Sequence, residues 1–160
     1  MPGASGEFLF YTGGTKLEKT GWPIDQNKQM RILLADEQTR VRSALQVLLQ
    51  QEPGVNIVGE AREAKELLAQ LRATQPDLVL LDWELPDLAT IGSLPALQTA
   101  CPNLGVIVLS GRPEARLAAL AAGADDFVSK VDPPAQLLLA IHAVDKRIGG
   151  VDRLITQSAE

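Results

Sequence analysis

Four short runs each end in polar or charged side chains. Asp36-Glu37 follows Ile32-Leu33-Leu34-Ala35, Asp82 follows Leu78-Val79-Leu80-Leu81, Ser110 follows Val106-Ile107-Val108-Leu109, and Lys130 closes Asp126-Phe127-Val128-Ser129. If these runs are neighbouring strands of one parallel sheet, their carboxyl ends share an edge, and open α/β folds bind ligands in the crevice there. Such an edge carries three carboxylates, a hydroxyl and an ammonium group. Magnesium takes oxygen ligands, commonly one or two carboxylates with waters and a phosphate, and crowded acids repel one another unless a cation sits among them. Asp36, Glu37 and Asp82 could offer that site. An ionised Asp82 can attack a phosphoryl group and become an acyl phosphate. Phosphoryl transfer demands mainly positioning and charge neutralisation, which a metal together with Lys130 supplies. Ser110, followed by Gly111, can donate its hydroxyl to a phosphoryl oxygen.

Each residue alone has an ordinary reading. An aspartate after a strand often caps the next helix, Lys130 alone is a solvated loop lysine, and Ser-Gly after a strand is turn chemistry. Their joint placement is what points to a phosphorylated aspartate with magnesium beside it.

The elements that must position these residues are legible from Met30 onward, where apolar runs alternate with segments of helical period. Val41, Leu45, Leu48 and Leu49 share one helical face, and Pro53-Gly54 stops that helix before a strand at Val55 to Val58. A second helix carries Leu67, Leu68 and Leu71 and ends at Pro76. The spacing predicts a third, interrupted helix over Ile91 to Ala100. A fourth is expected over Pro113 to Ala122 with Leu117, Leu120 and Ala121 inward, stopping at Gly123. The last, from Pro133-Pro134, presents Leu137, Ile141, Val144 and Ile148 and is expected to end at Gly149-Gly150. Five strands alternating with five helices imply a doubly wound, five-stranded parallel sheet covered on both faces.

The chain of 160 residues suits one domain, and 46% apolar with 22% charged residues is ordinary for a globular protein. A net charge of −5 and a pI near 4.9 argue against a nucleic-acid footprint. No apolar segment approaches the ~20 residues that span a bilayer, and no secretory signal opens the chain, so the expectation is a cytoplasmic, soluble protein without membrane contact. The one cysteine, Cys101, reads as a small core residue, and the one histidine, His142, as a packing or helix-surface residue. Residues 1–29 stand apart, holding Phe8, Phe10, Tyr11 and Trp22 outside the periodic pattern. Glu7 to Tyr11 and Thr15 to Glu18 could pair as a hairpin around Gly13-Gly14. A lone two-stranded hairpin is marginal in water, so residues 1–29 are read instead as a flexible or non-native leader, 30–148 as the domain and 149–160 as a tail.

The order of motifs resembles the receiver domain of two-component response regulators, over roughly Met30 to Arg147. The matching residues are Leu33-Leu34-Ala35-Asp36-Glu37, Leu80-Leu81-Asp82-Trp83-Glu84-Leu85-Pro86, Leu109-Ser110-Gly111, and Gly123-Ala124-Asp125-Asp126-Phe127-Val128-Ser129-Lys130. The resemblance implies a flavodoxin-like fold of receiver type and a switch in which Asp82 takes a phosphoryl group from a histidine kinase or phosphotransfer protein. It implies magnesium held by Glu37, Asp82 and the backbone carbonyl of Glu84, with Asp36 acting through water or hydrogen bonding. Lys130 would pair with the phosphate, Ser110 would swing toward it, and Phe127 would turn inward, remodelling the face of the fourth helix, fifth strand and fifth helix. On this reading the chain is a phosphoacceptor regulatory domain and not an enzyme, beyond slow self-dephosphorylation, with helix faces that could support a homodimer.

Besides Phe127, which lacks a phenolic hydroxyl and can signal only by packing, the chain departs from the family pattern at three places. Glu37 stands where a second aspartate is usual, Thr90 where a glycine is expected, so that the loop after Pro86 should be irregular, and Val131 where a proline with a cis peptide bond is common. The altered loop motivates an alternative, a phosphate-independent interaction module of the same fold. A phosphohydrolase with Glu84 as general acid is disfavoured by Leu85-Pro86 and the lack of a capping domain. No glycine-rich phosphate loop follows any strand.

Overall fold

A computed structural model describes residues 10–12, 15–17 and 29–159, with side-chain surroundings for residues 29–148. Phe10–Thr12 (β1) pairs antiparallel with Thr15–Leu17 (β2), with Phe10 opposite Leu17. The described residues thus contain strand pairing where the hairpin was set aside on grounds of stability, and Gly13-Gly14 lie between the two strands in sequence. The rest of the leader reading lies outside the described residues.

Five further strands form one parallel sheet: Met30–Ala35 (β3), Val55–Ala61 (β4), Leu78–Asp82 (β5), Gly105–Ser110 (β6) and Asp126–Ser129 (β7), in the order β4-β3-β5-β6-β7. Alternate residues of each strand feed two separate cores. On one face Leu33, Val79, Leu81, Val106, Val108 and Phe127 pack with Leu67, Leu71, Leu94 and Leu97. On the other, Ile32, Leu34, Leu80, Ile107 and Leu109 pack with Leu45, Leu49, Leu137, Ile141 and Val144. Strands buried on both sides explain why the runs read as continuously apolar.

Thr39–Gln50 (α1) and Pro134–Ala159 (α5) cover the second core, and Ala64–Thr74 (α2), Leu94–Ala100 (α3) and Arg116–Ala121 (α4) the first. The helix α2 ends on Gln75 in a left-handed conformation just before Pro76, as its breaker residue suggests. Three expectations need correction. The third helical segment is split into a 3₁₀ turn, Ala89–Ile91, and α3, because Gly92 (φ 88°) and Ser93 (φ 61°) take left-handed backbone between them. In α4, Leu117 is 79% exposed and Ala121 is exposed, while Ala119 is buried in their place. A 3₁₀ turn at Pro113–Ala115 winds three residues per turn and so rotates the following helix face by roughly 60° from a continuous α-helix. Finally, α5 does not stop at Gly149-Gly150 but runs to Ala159. Glycine in a helix costs only about 1 kcal/mol relative to alanine, and helix-compatible residues follow.

One contact makes a sharp test of the packing. A Cβ on Gly105, at the start of β6, would lie 2.9 Å from Val144 Cγ1 and 3.0 Å from Ile148 Cδ1 on α5. Gly105→Ala is expected to destabilise the domain by about 1–3 kcal/mol through overpacking. Urea unfolding of the variant within 0.5 kcal/mol of wild type, on the order of ordinary surface changes, would contradict this account of how α5 meets the sheet.

Candidate phosphoacceptor site

Strand register brings the functional residues to one level. Ala35 lies opposite Leu81, Asp82 opposite Leu109, and Ser110 opposite Ser129. The residues that follow or close these pairs, Asp36, Asp82, Ser110 and Lys130, therefore meet at the carboxyl edge. Lys130 is held there by its own backbone, whose N–H donates to Ser110 O at 2.8 Å.

The centre is an ammonium between two buried carboxylates. Lys130 Nζ lies 2.8 Å from Asp36 Oδ2 and 3.3 Å from Asp82 Oδ1, with side-chain exposures of 23%, 2% and 6% for Lys130, Asp36 and Asp82. The other Asp36 oxygen accepts from Gln38 N–H at 2.9 Å, and Asp82 Oδ1 accepts from Glu84 N–H at 3.0 Å. Burial pushes the Asp82 carboxyl up to about 6, with the neighbouring Asp36 charge adding to it, against the opposing pull of the Glu84 N–H and Lys130. Lys130 compensates Asp82 only in part because the ammonium sits closer to Asp36. Burial also works to lower the Lys130 ammonium, but the two carboxylates outweigh it and raise it overall.

Ser110 is fully buried, and its hydroxyl is engaged: it donates to Glu84 Oε1 at 2.9 Å and accepts from Arg112 N–H at 3.0 Å. Arg112 Nε also lies 3.3 Å from the same Glu84 oxygen. Phe127 is buried in the first core at 6% exposure, so the inward turn expected of it is already made in this structure. Glu37 follows Asp36 on the same loop with an exposed side chain. Trp83 is half-buried beside Asp82, and its backbone N–H donates to Leu109 O at 2.9 Å. The loop after Pro86 is irregular as expected, with Asp87 (φ 62°) and Ser93 in left-handed backbone. No cis peptide bond occurs among the described residues, including the bond after Lys130.

The oxygen set fits a hard divalent cation. Among the described residues, Asp36 Oδ2 is buried and accepts no aligned hydrogen bond, with the Lys130 ammonium 2.8 Å away. Among the described residues no three carboxylate, histidine or cysteine side chains already gather at metal-cage spacing, so a cation here would rest on fewer side chains plus carbonyl and water. That is the ordinary manner of magnesium.

Two residues of this neighbourhood were not singled out from sequence. Arg42 is buried on α1 and bonds the carbonyls of Asp36 and Glu37. Its signal is a lone arginine in register with Leu45 and Leu49 on the inward stripe. Arg112, two residues after Ser110, had no such signal.

Residues 32–142 match the model of the response regulator receiver domain. The chain belongs to that family. A protein-glutamate methylesterase/protein-glutamine glutaminase of Symbiobacterium thermophilum is 36% identical over 118 residues, which are 72% of this chain and 32% of that protein. The chain thus spans about a third of the length of this relative, and matches only its receiver part. Chemotaxis protein CheY of Thermotoga maritima is 28% identical over 118 residues, 72% of this chain and 98% of that one. Among solved structures, a LuxR-family two-component response regulator from Aurantimonas sp. superposes with a TM-score of 0.64 at 30% identity, covering 77% of this chain and 87% of that one. The RcsB response regulator of Salmonella typhimurium gives 0.69 at 25%, covering 81% and 68%. The receiver domain is a phosphorylation-controlled signalling switch of two-component regulation, and nothing in these likenesses favours the phosphate-independent alternative. No described helix is long and apolar enough to cross a membrane.

Proposed function

We propose that Asp82 is the phosphoacceptor of this receiver, and that the chain acts as a regulatory domain and not as an enzyme. The observation that carries the proposal is the buried Lys130–Asp36–Asp82 cluster at the sheet's carboxyl edge. The Asp82 carboxylate oxygen attacks the phosphorus of a phosphohistidine. The P–N bond breaks, and the imidazole nitrogen leaves with the electron pair. Glu37, Asp82 and the Glu84 carbonyl, with Asp36 assisting through water, would hold a magnesium ion, which when bound would supply positive charge to the phosphoryl oxygens. Lys130 follows the phosphoryl oxygens as an ion-pair partner. Ser110 must leave Glu84 before its hydroxyl can reach them, so the Glu84–Ser110 bond is the contact exchanged when the domain switches. Phe127 contributes by packing.

A groove of about 390 Å³ between α1 and α5 supports a docking place for the phosphodonor protein. Val41, Leu45, Leu48 and Leu137 supply an apolar wall, and Lys130 and Ser129 connect it to the acceptor. The acidic charge of the chain supports protein over nucleic acid as its partner through this domain. Residues 30–148 form the receiver unit on this reading.

Incubation with a small acyl or amido phosphate and millimolar magnesium should add one phosphoryl group per chain, read by intact mass, and chelation of the metal should abolish it. Absence of labelling with and without magnesium would overturn the proposal.

A further inference from the structure

The loop that carries Asp36 and Glu37 has an unusual support. Gln38, at the start of α1, makes no side-chain capping bond. The loop is held instead from one turn inside the helix. Arg42 Nη1 donates to Asp36 O at 2.6 Å and to Glu37 O at 3.1 Å, Nη2 to Thr39 Oγ1 at 3.3 Å, and Nε to Glu60 Oε1 on β4 at 2.9 Å. The guanidinium is buried, with a side-chain exposure of 9%. A charged group is that deeply buried only where its donors are taken. Here the planar fork spans two consecutive carbonyls and a neighbouring strand, which a single ammonium point charge cannot do.

The consequence is that Asp36 is fixed at both ends. Its carboxylate is set by Lys130 and the Gln38 N–H, and its carbonyl by Arg42. The Glu37 carbonyl is fixed by the same nitrogen, so the direction in which the exposed Glu37 side chain leaves the loop is set from inside the helix. The contact to Glu60 at 2.9 Å ties the guanidinium, and through it the loop, to the edge strand.

We propose that Arg42 is the positioning residue of the acid loop, and that its clamp on the Asp36 and Glu37 carbonyls sets the geometry with which Glu37 meets a divalent cation. This rests on the metal reading given under Proposed function. Arg42 touches neither the cation nor the phosphoryl group, and it acts through the backbone alone.

The test uses two readouts on the full chain: magnesium titration followed by Trp83 emission, and amide hydrogen exchange at Gln38 by NMR with no metal added. The variants are Arg42→Gln, Arg42→Lys and, as a matched loss of one exposed positive charge on α2, Arg72→Gln. Arg42→Gln should weaken magnesium about 10-fold or more, the scale on which supporting residues act on metal affinity, and should speed Gln38 exchange while α5 amides keep their wild-type rates. Arg42→Lys should fall between, and Arg72→Gln should match wild type in both. If Arg42→Gln fails to fold, Arg42→Lys is read by the same criteria. Gln38 exchange unchanged in the Arg42 variant overturns the clamp, and faster exchange with unchanged magnesium affinity overturns its positioning role. Faster exchange in a protein whose wild type ignores magnesium leaves the clamp standing and overturns the metal reading.

Discussion

Asp82→Asn is expected to yield a more stable protein at pH 7 in the absence of divalent metal, by about 1–3 kcal/mol. The wild-type carboxyl is raised from 3.8 to about 6, chiefly by burial, and a rise of that size corresponds to about 3 kcal/mol between the protonated and ionised forms. The native state therefore binds a proton that the unfolded chain releases between about pH 4 and pH 6. The stability due to that proton is fully present below the unfolded value and is lost as pH rises through the folded one. Above pH 6 the wild type carries an ionised Asp82 beside Asp36, and the amide does not. The advantage of Asp82→Asn should accordingly vanish below about pH 4, where both side chains are neutral in folded and unfolded chains. Magnesium should shrink it from the other side, since a cation that binds only the folded wild type adds stability by mass action. Urea unfolding across pH 4 to 8, with and without magnesium, reads all three limbs. An amide variant less stable than wild type at pH 7 without metal would show that Asp82 is not under the electrostatic load described.

Lys130→Met should move stability in the opposite direction. Removing one partner of a buried ion pair costs about 3–5 kcal/mol. Lys130 is partly exposed at 23% while the carboxylates it serves are at 2% and 6%, so the lower end, about 3 kcal/mol, is expected. Methionine keeps most of the aliphatic stem, which separates loss of charge from loss of packing. Two features distinguish this from a generic core defect. The deficit should narrow as pH falls toward 5, because an uncompensated Asp82 takes up a proton more readily. It should also narrow at millimolar magnesium, because the cation supplies the missing positive charge to the same carboxylates. The variant should bind magnesium at least as well as wild type, having lost a competing cation, and yet transfer phosphoryl poorly for want of a charge to follow it. A deficit of equal size with and without magnesium would mean that Lys130 and the metal do not share a site.

The sheet was legible in the sequence because β3, β5 and β6 are covered on both faces and so have no polar alternation to obscure them. Once their runs were aligned, Asp36, Asp82, Ser110 and Lys130 had to share an edge. The facing of α4 was not legible, since only the 3₁₀ turn at Pro113–Ala115 sets its phase, and nothing local distinguishes that turn from the first turn of an α-helix beginning with proline. The continuation of α5 through Gly149-Gly150 shows a weak propensity outweighed by the length of helix around it. At the site, residue types disclosed which groups could do chemistry but not which partners they take in the fold. That Ser110 is bonded to Glu84, and that Phe127 already lies inward, depend on rotamers. Arg42 was overlooked because a positive charge on an apolar stripe has no meaning until the two carbonyls facing it are known.

The most direct measurement is chemical location of the phosphoryl group. Hydride reduction of an acyl phosphate converts that carboxyl group to an alcohol, leaving a mass change on one residue that peptide mapping can find. After treatment with a phosphodonor and magnesium, the change should fall on Asp82 alone, and Asp82→Asn should show none. A modified residue at Asp36 or Glu37, or equal labelling of wild type and Asp82→Asn, would contradict the account.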